Sequence, residues 1–252
     1  MINTSMRALL VGVESYSQFE IENRPGTINA LREIEHRLIE GGWHTRLLVD
    51  GASTMTQRSG LSQILEGVEW LNGCEQSILI LSGKIIDSRF YPADTKSTFL
   101  NQSTLSIKDL INFLSSRTGV IIDGPVSSEL LEPLPWSIVA QEREAEELLF
   151  SSYGPTQFLH SITIALNTWP HNKMLKVRDF FKFVKEQDPP SSIYNNYSSL
   201  NSVTLLTPVQ PLISNTLLTP PSEIPISANS DSTNSSQSSM TQRGGRFVAQ
   251  GR

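Results

Sequence analysis

The sequence predicts an α/β fold, a three-layer sandwich with a mostly parallel central sheet, followed by a disordered C-terminal tail. From Arg7 to about Lys185, short runs that are apolar on both faces alternate with amphipathic helical segments, and the strand–helix order repeats several times. The limit of the fold comes from composition. After Asp188, 33 of 64 residues are Pro, Ser, Thr or Asn and only five are charged, which cannot build a core. The expected division is a folded domain at 1–188 and a tail at 189–252.

RALLVGV (7–13) reads as a short buried strand. TINALREIEHRLIEGGW (27–43) then places Ile28, Leu31, Ile34 and Leu38 on one helical face before glycines stop it. TRLLVD (45–50) is a second strand, LSQILEGVEWL (61–71) a helix and SILILSG (77–83) a third strand. LSIKDLINFLSS (105–116) is expected as a helix, GVIIDG (119–124) as a fourth strand and WSIVAQ (136–141) as a fifth. In such sheets ligands gather at the carboxyl ends of the strands. The rim to inspect is therefore 14–16, 84–87 and 123–128.

Composition narrows the function classes. The 252 residues contain one cysteine, which excludes a disulfide framework and multi-cysteine metal sites and favours a reducing, cytoplasmic setting. The net charge is −5. Glu223, Asp231, Arg243, Arg246 and Arg252 put the tail at +1, leaving −6 on residues 1–188, so no nucleic-acid partner is expected. No apolar run reaches the roughly 20 residues that span a bilayer, and no membrane partner is expected.

The segment GVESYSQF after the first strand has no phosphate-cradling glycine loop, no GxSxG elbow occurs, and the four histidines (His36, His44, His160, His171) lack partners at metal spacing. No cofactor and no metal are expected.

The order of local patterns resembles the caspase and metacaspase family of cysteine peptidases. ALLVGVESY resembles its first strand (ALLIGINxY), and RPGTINA its LPGAxND turn, with Pro25, Gly26 and Asn29 matching and Ala30 in place of the acid. LLVDGAST is similar to the second strand, ILSG to the strand that reads FSGHG, YPAD to LLPVD, and VIIDG to the strand that reads LDACHSG. TLSIKDLINFL resembles the helix before the nucleophile strand. IVAQEREAEE and YGPTQFLHSITIAL resemble the AAS segment and the following GxGxFTxAL helix. The resemblance implies a caspase-like domain.

It also implies a lost dyad. The family's histidine and cysteine positions read Lys84 and Pro125 here. Proline has no side-chain nucleophile, and a lysine near its usual pKa of about 10.4 is protonated at neutral pH. Cys74 precedes the third strand whereas Lys84 follows it, and ten residues at about 3.3 Å each separate the thiol from the rim by roughly 30 Å. Ser127 and Ser128 lie closer to the lost nucleophile, with no histidine expected beside them. Asp123 occupies the aspartate that helps form an acidic pocket for a substrate Arg or Lys in metacaspase-like members. It is read either as that pocket, receiving a client's basic residue or this chain's own Arg243, Arg246 or Arg252, or as a structural acid that caps a nearby backbone or pairs with Lys84.

The tail contains a repeat. Thr204, Leu205, Leu206, Thr207 and Pro208 recur as Thr216, Leu217, Leu218, Thr219 and Pro220. The two copies are read as paired docking motifs or as drift in low-complexity sequence, with prolines keeping both extended. The acidic run 142–147 is expected as a solvated face. Trp70, Trp136, Trp169, Phe180, Phe181 and Phe183 are expected as core, and KMLKVRDFFKFVKEQ (173–187) as an amphipathic helix packed on the domain. The sixth strand that some relatives use for pairing is not legible.

The functional expectation is a pseudoprotease without enzymatic activity. It would act as a protein-binding regulator or scaffold, with an active caspase-like protease as one candidate partner. The alternatives are an active cysteine endopeptidase or other hydrolase with a displaced catalytic group, and a structural adaptor acting mainly through its tail.

Overall fold

The structure, a computed structural model, describes residues 6–16, 23–52, 54, 57–140, 157–187, 192–195 and 203–208. In chain order these form β1 (Met6–Gly12), α1 (Thr27–Glu40), β2 (His44–Val49), α2 (Leu61–Leu71) and β3 (Gln76–Ser82). An excursion follows, with β4 (Ile85–Ile86), β5 (Arg89–Phe90), a 3-10 turn (Ser97–Phe99), α3 (Leu100–Ser103) and β6 (Leu105–Ser106). Then come α4 (Ile107–Phe113), β7 (Thr118–Asp123), a second 3-10 turn (Ser128–Leu131) and β8 (Trp136–Val139). The remainder is α5 (Gln157–Thr168), β9 (Leu175–Lys176), α6 (Val177–Gln187), β10 (Ser192–Asn195) and β11 (Thr204–Leu206).

The main sheet has the order β10-β8-β7-β3-β1-β2. Its five strands β1, β2, β3, β7 and β8 are parallel, and β10 closes one edge antiparallel to β8, with Ser192 opposite Val139. Strand parity divides the core into two layers. Ala8, Leu10, Ile78, Ile80, Ile121 and Ile138 join Leu31, Ile34, Ile162 and Phe180 on the α1–α5–α6 side. Leu9, Val11, Leu79, Leu81, Val120 and Ile122 join Ile64, Val68 and Leu110 on the α2–α4 side. Each central strand is apolar on both faces because both faces are covered. This is the predicted three-layer α/β sandwich.

Individual elements follow from local chemistry. Helix α6 buries Val177, Phe180, Phe181 and Val184, spaced i, i+3, i+4, i+7, so its apolar stripe is spent on the sheet. Trp136 is buried and meets Phe181 edge-on at 5.7 Å between ring centroids, whereas Trp70 is only part-buried and has the guanidiniums of Arg7 and Arg46 over its ring at 5.2 and 5.1 Å from the centroid. Arg37 on α1 is buried. Its guanidinium donates to the carbonyls of Leu166 and Trp169 and to Glu40, placing a cation on the last carbonyls of α5. That hydrogen bond from Arg37 is the main cause holding the Glu40 carboxyl below the usual range.

Several expectations need correction. The helix expected at 105–116 is shorter, since Leu105–Ser106 pairs with β5 and the Ser106 hydroxyl accepts from Asp109 N at the start of α4. The amphipathic helix begins at Val177 because Leu175–Lys176 is claimed by β11. The domain does not stop at 188. β10 and β11 both lie beyond it, and one compact unit runs through Pro211. The first repeat, Thr204–Pro208, is correspondingly not a free docking motif: Leu205 and Leu206 are buried at 2% and 4% exposure. Two leucines suffice to fill a groove even in a polar tract. The second repeat, Thr216–Pro220, the acidic run 142–147 and Arg243, Arg246 and Arg252 lie outside the described residues. No helix among the described residues is long and apolar enough to cross a membrane.

Gly119 gives the sharpest test of the packing. A Cβ there would stand 1.9 Å from Trp136 Cε2, inside a core that cannot yield. Gly119→Ala is expected to destabilise the domain by about 1–3 kcal/mol or more, read as a lowered urea midpoint with altered tryptophan emission.

Candidate functional site

The carboxyl rim is assembled by backbone-to-carboxylate bonds. Glu14 and Ser15 donate their N–H groups to the Asp50 carboxylate at 2.6 and 2.9 Å, joining the ends of β1 and β2. Glu14 Oε2 accepts from Ile28 N at 3.1 Å, in the first turn of α1. Gly26, before that helix, has φ of 90° and offers no side-chain cap, so the distant Glu14 serves the helix start instead. Glu14 O also accepts from Arg24 N at 2.9 Å. The turn before α1 is thus held over the sheet.

This places Arg24 on Asp123. Ser82 and Asp123 are register partners at the ends of β3 and β7, and their parity, shared with Ile80 and Ile121, directs both toward the α1 layer. Arg24 Nη2 lies 2.7 Å from Asp123 Oδ2, and Nη1 donates to Gly83 O at 2.9 Å and Asp123 O at 3.2 Å. The Ser82 hydroxyl donates to the same Oδ2 at 2.7 Å. The side chains are 12% and 3% exposed. A buried carboxylate with a guanidinium and a hydroxyl on it is already satisfied.

Asp123 is a structural acid, with a partner other than the one expected. It is not paired with Lys84, and it is not an open pocket awaiting an external base, because Arg24 of its own chain fills the place. Lys84 makes no ion pair among the described residues. Its backbone N–H donates to Tyr16 Oη at 2.5 Å. Pro125 is exposed just past β7, followed by the exposed Ser127 and Ser128.

Tyr16 is the second organising side chain. It is 6% exposed and packs with Ile85 and Phe90, while its N–H donates to Asn23 Oδ1 at 3.1 Å. Burial pushes its phenol up to about 12, against the smaller lowering influence of the Lys84 N–H. A Cβ on Gly83 would lie 2.9 Å from that oxygen and 2.6 Å from Phe90 Cε2, so the rim has no room for a larger residue there.

Cys74 sits at the opposite edge, before β3, where its thiol donates to Leu71 O and Gln76 O at 3.0 and 3.2 Å. His44 opens β2 on that same edge, and His36 and His171 lie near Glu40 at the far end of α1. His160 is exposed on α5. Among the described residues no group of three or more His, Cys, Asp or Glu is placed to hold a metal ion. Beside the rim a hollow of about 480 Å³ is bordered by Ser15, Asp50, Arg58, Gln63 and Asp94. Its carboxylates are committed, Asp50 to β1 and Asp94 Oδ1 to Leu61 N at 2.9 Å. Such a site can form hydrogen bonds; it presents neither thiolate nor imidazole.

Sequence reasoning placed Tyr16 on the rim without reading its role, and missed Arg24. The available signal for Arg24 was its position just before the first helix, at the end of that helix facing the carboxyl rim. No family model matches this chain, and no curated protein matches it.

Removing one partner of the buried pair leaves an unpaired charge. Asp123→Ala and Arg24→Ala are each expected to cost about 3–5 kcal/mol, with Lys84→Ala within about 0.5 kcal/mol, by urea denaturation. Tyr16 predicts an alkaline limit. The unfolded phenol ionises near 10 and the folded one near 12, so its contribution is intact below pH 10 and lost as pH rises to about 12. The loss is on the order of 2–3 kcal/mol, and Tyr16→Phe should flatten that part of the stability–pH curve.

Proposed function

We propose that this chain is a caspase-like pseudoprotease, a protein-binding regulator or scaffold. The observation that carries the reading is the Arg24–Asp123 pair. Where the resemblance implies an acidic pocket for a substrate's basic residue, the acid is neutralised from within, and the two dyad positions on the adjoining strand ends are Lys84 and Pro125. The motifs that carry the resemblance fall on collinear elements: ALLVGV on β1, RPGTINA entering α1, ILSG ending β3 and VIIDG on β7. Their chemistry is missing while their framework persists.

Protein binding has its own support. Ile86, Phe99, Leu100 and Phe113 are exposed at 37%, 59%, 39% and 63%, and all four belong to the connection between β3 and β7. Large apolar side chains left in water are the kind of group a protein partner covers, and Phe99 and Leu100 are adjacent in the chain. We take this connection, rather than Asp123, as the recruiting surface, and an active caspase-like protease as the first partner to test.

Two measurements decide between this reading and its alternatives. Full-length protein is expected to show no turnover of Arg- or Lys-ending fluorogenic peptides; turnover abolished by Cys74→Ala would establish the displaced-thiol peptidase instead. Affinity purification should use the full chain beside a form lacking 212–252, since cutting at 190 would remove β10 and β11. Capture that survives truncation and falls at least tenfold with Phe99→Asp supports the regulator; capture lost with the truncation supports the tail adaptor.

A further inference from the structure

We propose that the β2 edge of the main sheet is a self-association surface, and that a second copy of this chain seats its own β2 there, antiparallel, about a two-fold axis. β10 closes one edge of the sheet, and at the other β2 has β1 as its only strand partner among the described residues. Asp50 N donates inward to Gly12 O, and Val49 O turns the other way to accept from Ser59 N, both at 3.3 Å. Backbone groups alternate in direction along a strand. The N–H and C=O of Thr45 and Leu47 and the N–H of Val49 therefore turn outward, where they meet no partner among the described residues. Neither a proline nor a bulge blunts this edge. Along it runs an open hollow of about 760 Å³, with Arg32 and Glu35 of α1 on one wall and Gln63 and Glu66 of α2 on the other.

Helix α1 is self-complementary about the same axis. Ile28, Arg32, Glu35 and Ile39 recur at i, i+4, i+7 and i+11, one stripe on the flank beside β2, where Glu35 Oε1 accepts from Thr45 Oγ1 at 2.9 Å. Ile39 is 54% exposed, and Arg32 is exposed with no ion pair among the described residues. Read from its other end, the stripe is again isoleucine, charge, charge, isoleucine at the same spacings, with the charges reversed. An antiparallel α1 of a second copy thus sets Ile28 on Ile39 and Arg32 on Glu35, each contact made twice. The two centres coincide. A Cβ on Gly12 would meet Leu31 at 2.4 Å and Val49 at 3.6 Å, and Glu35 meets Thr45, so the middle of the stripe stands level with Leu47. With Leu47 opposite Leu47 of the second copy, the two exchange both backbone bonds, and each Val49 N–H reaches the other copy's Thr45 O. Spacing agrees as well. Helix α1 packs on both β1 and β2, so with strands about 4.8 Å apart the two α1 axes stand roughly 10 Å apart, the distance at which helices pack.

Sedimentation of the full chain at about 100 μM is expected to give twice the 28.0 kDa chain mass, and a chain that stays monomeric there overturns the proposal. Arg32→Glu and Glu35→Arg each turn two attractive contacts into repulsive ones, and each should weaken the dimer by about tenfold or more. Mixing the two variants sets unlike charges together again, so a one-to-one heterodimer is expected at native affinity. A dimer unmoved by either reversal, or variants that stay monomeric when mixed, overturns the proposal. Should a reversal fail to fold, cross-linking in a Cys74→Ala background decides. Chains carrying Ile28→Cys alone should oxidise onto chains carrying Ile39→Cys alone in preference to their own copies. Cross-links formed equally between like variants, or none at all, overturn it.

Discussion

One buried ion pair organises the carboxyl rim of the sheet. Arg24 and Asp123 come from segments 99 residues apart, and their bond, with the Gly83 carbonyl and the Ser82 hydroxyl, joins the turn before α1 to the ends of β3 and β7. Neither charge could be left alone at that depth, because an unpaired buried ion is far costlier than the pair. The pair therefore constrains the 23–27 turn, and through it the start of α1, the seat of Tyr16 and the approach to Lys84. A site held this tightly by its own residues has little left to offer a charged ligand.

A second dependency runs along the opposite end of α1. Arg37 draws the last carbonyls of α5 onto the helix, and Gly41, just beyond its end, lets β11 lie against the backbone. The C-terminal segment thus completes the fold in two places: β10 extends the main sheet, and β11 covers the end of α1 while pairing with β9. Composition alone concealed this. The segment is rich in Ser, Asn and Pro, and its contribution comes from a few apolar residues and backbone hydrogen bonds, which a compositional average hides.

Legibility differed with the range of the interaction. Helix α2 matches its sequence assignment residue for residue, and β1, β3 and β7 fall within one residue of theirs, because two-faced apolar runs and 3.6-residue periodicity are local properties. The two-residue strands β4, β5, β6 and β9 were not legible, since two residues carry no period. That Lys84 and Pro125 stand just past the ends of β3 and β7 was legible once the strands were assigned. The identity of Asp123's partner was not. Lys84 was the nearer choice along the sheet, and Arg24 prevailed because strand parity turns Asp123 toward the α1 layer while the Lys84 N–H is engaged by Tyr16.

The sequence by itself determined the α/β class, the strand and helix order, and which chemical groups stand at the ends of β3 and β7, all of which depend on residue type and near-neighbour spacing. Tertiary structure alone decided that Arg24 closes on Asp123, that Tyr16 is buried deeply enough to hold its proton to about pH 12, and that Leu205 and Leu206 belong to the core. Those outcomes join residues far apart in the chain. They depend on the direction a side chain takes from its strand and on the space its neighbours leave, and neither is written in local sequence.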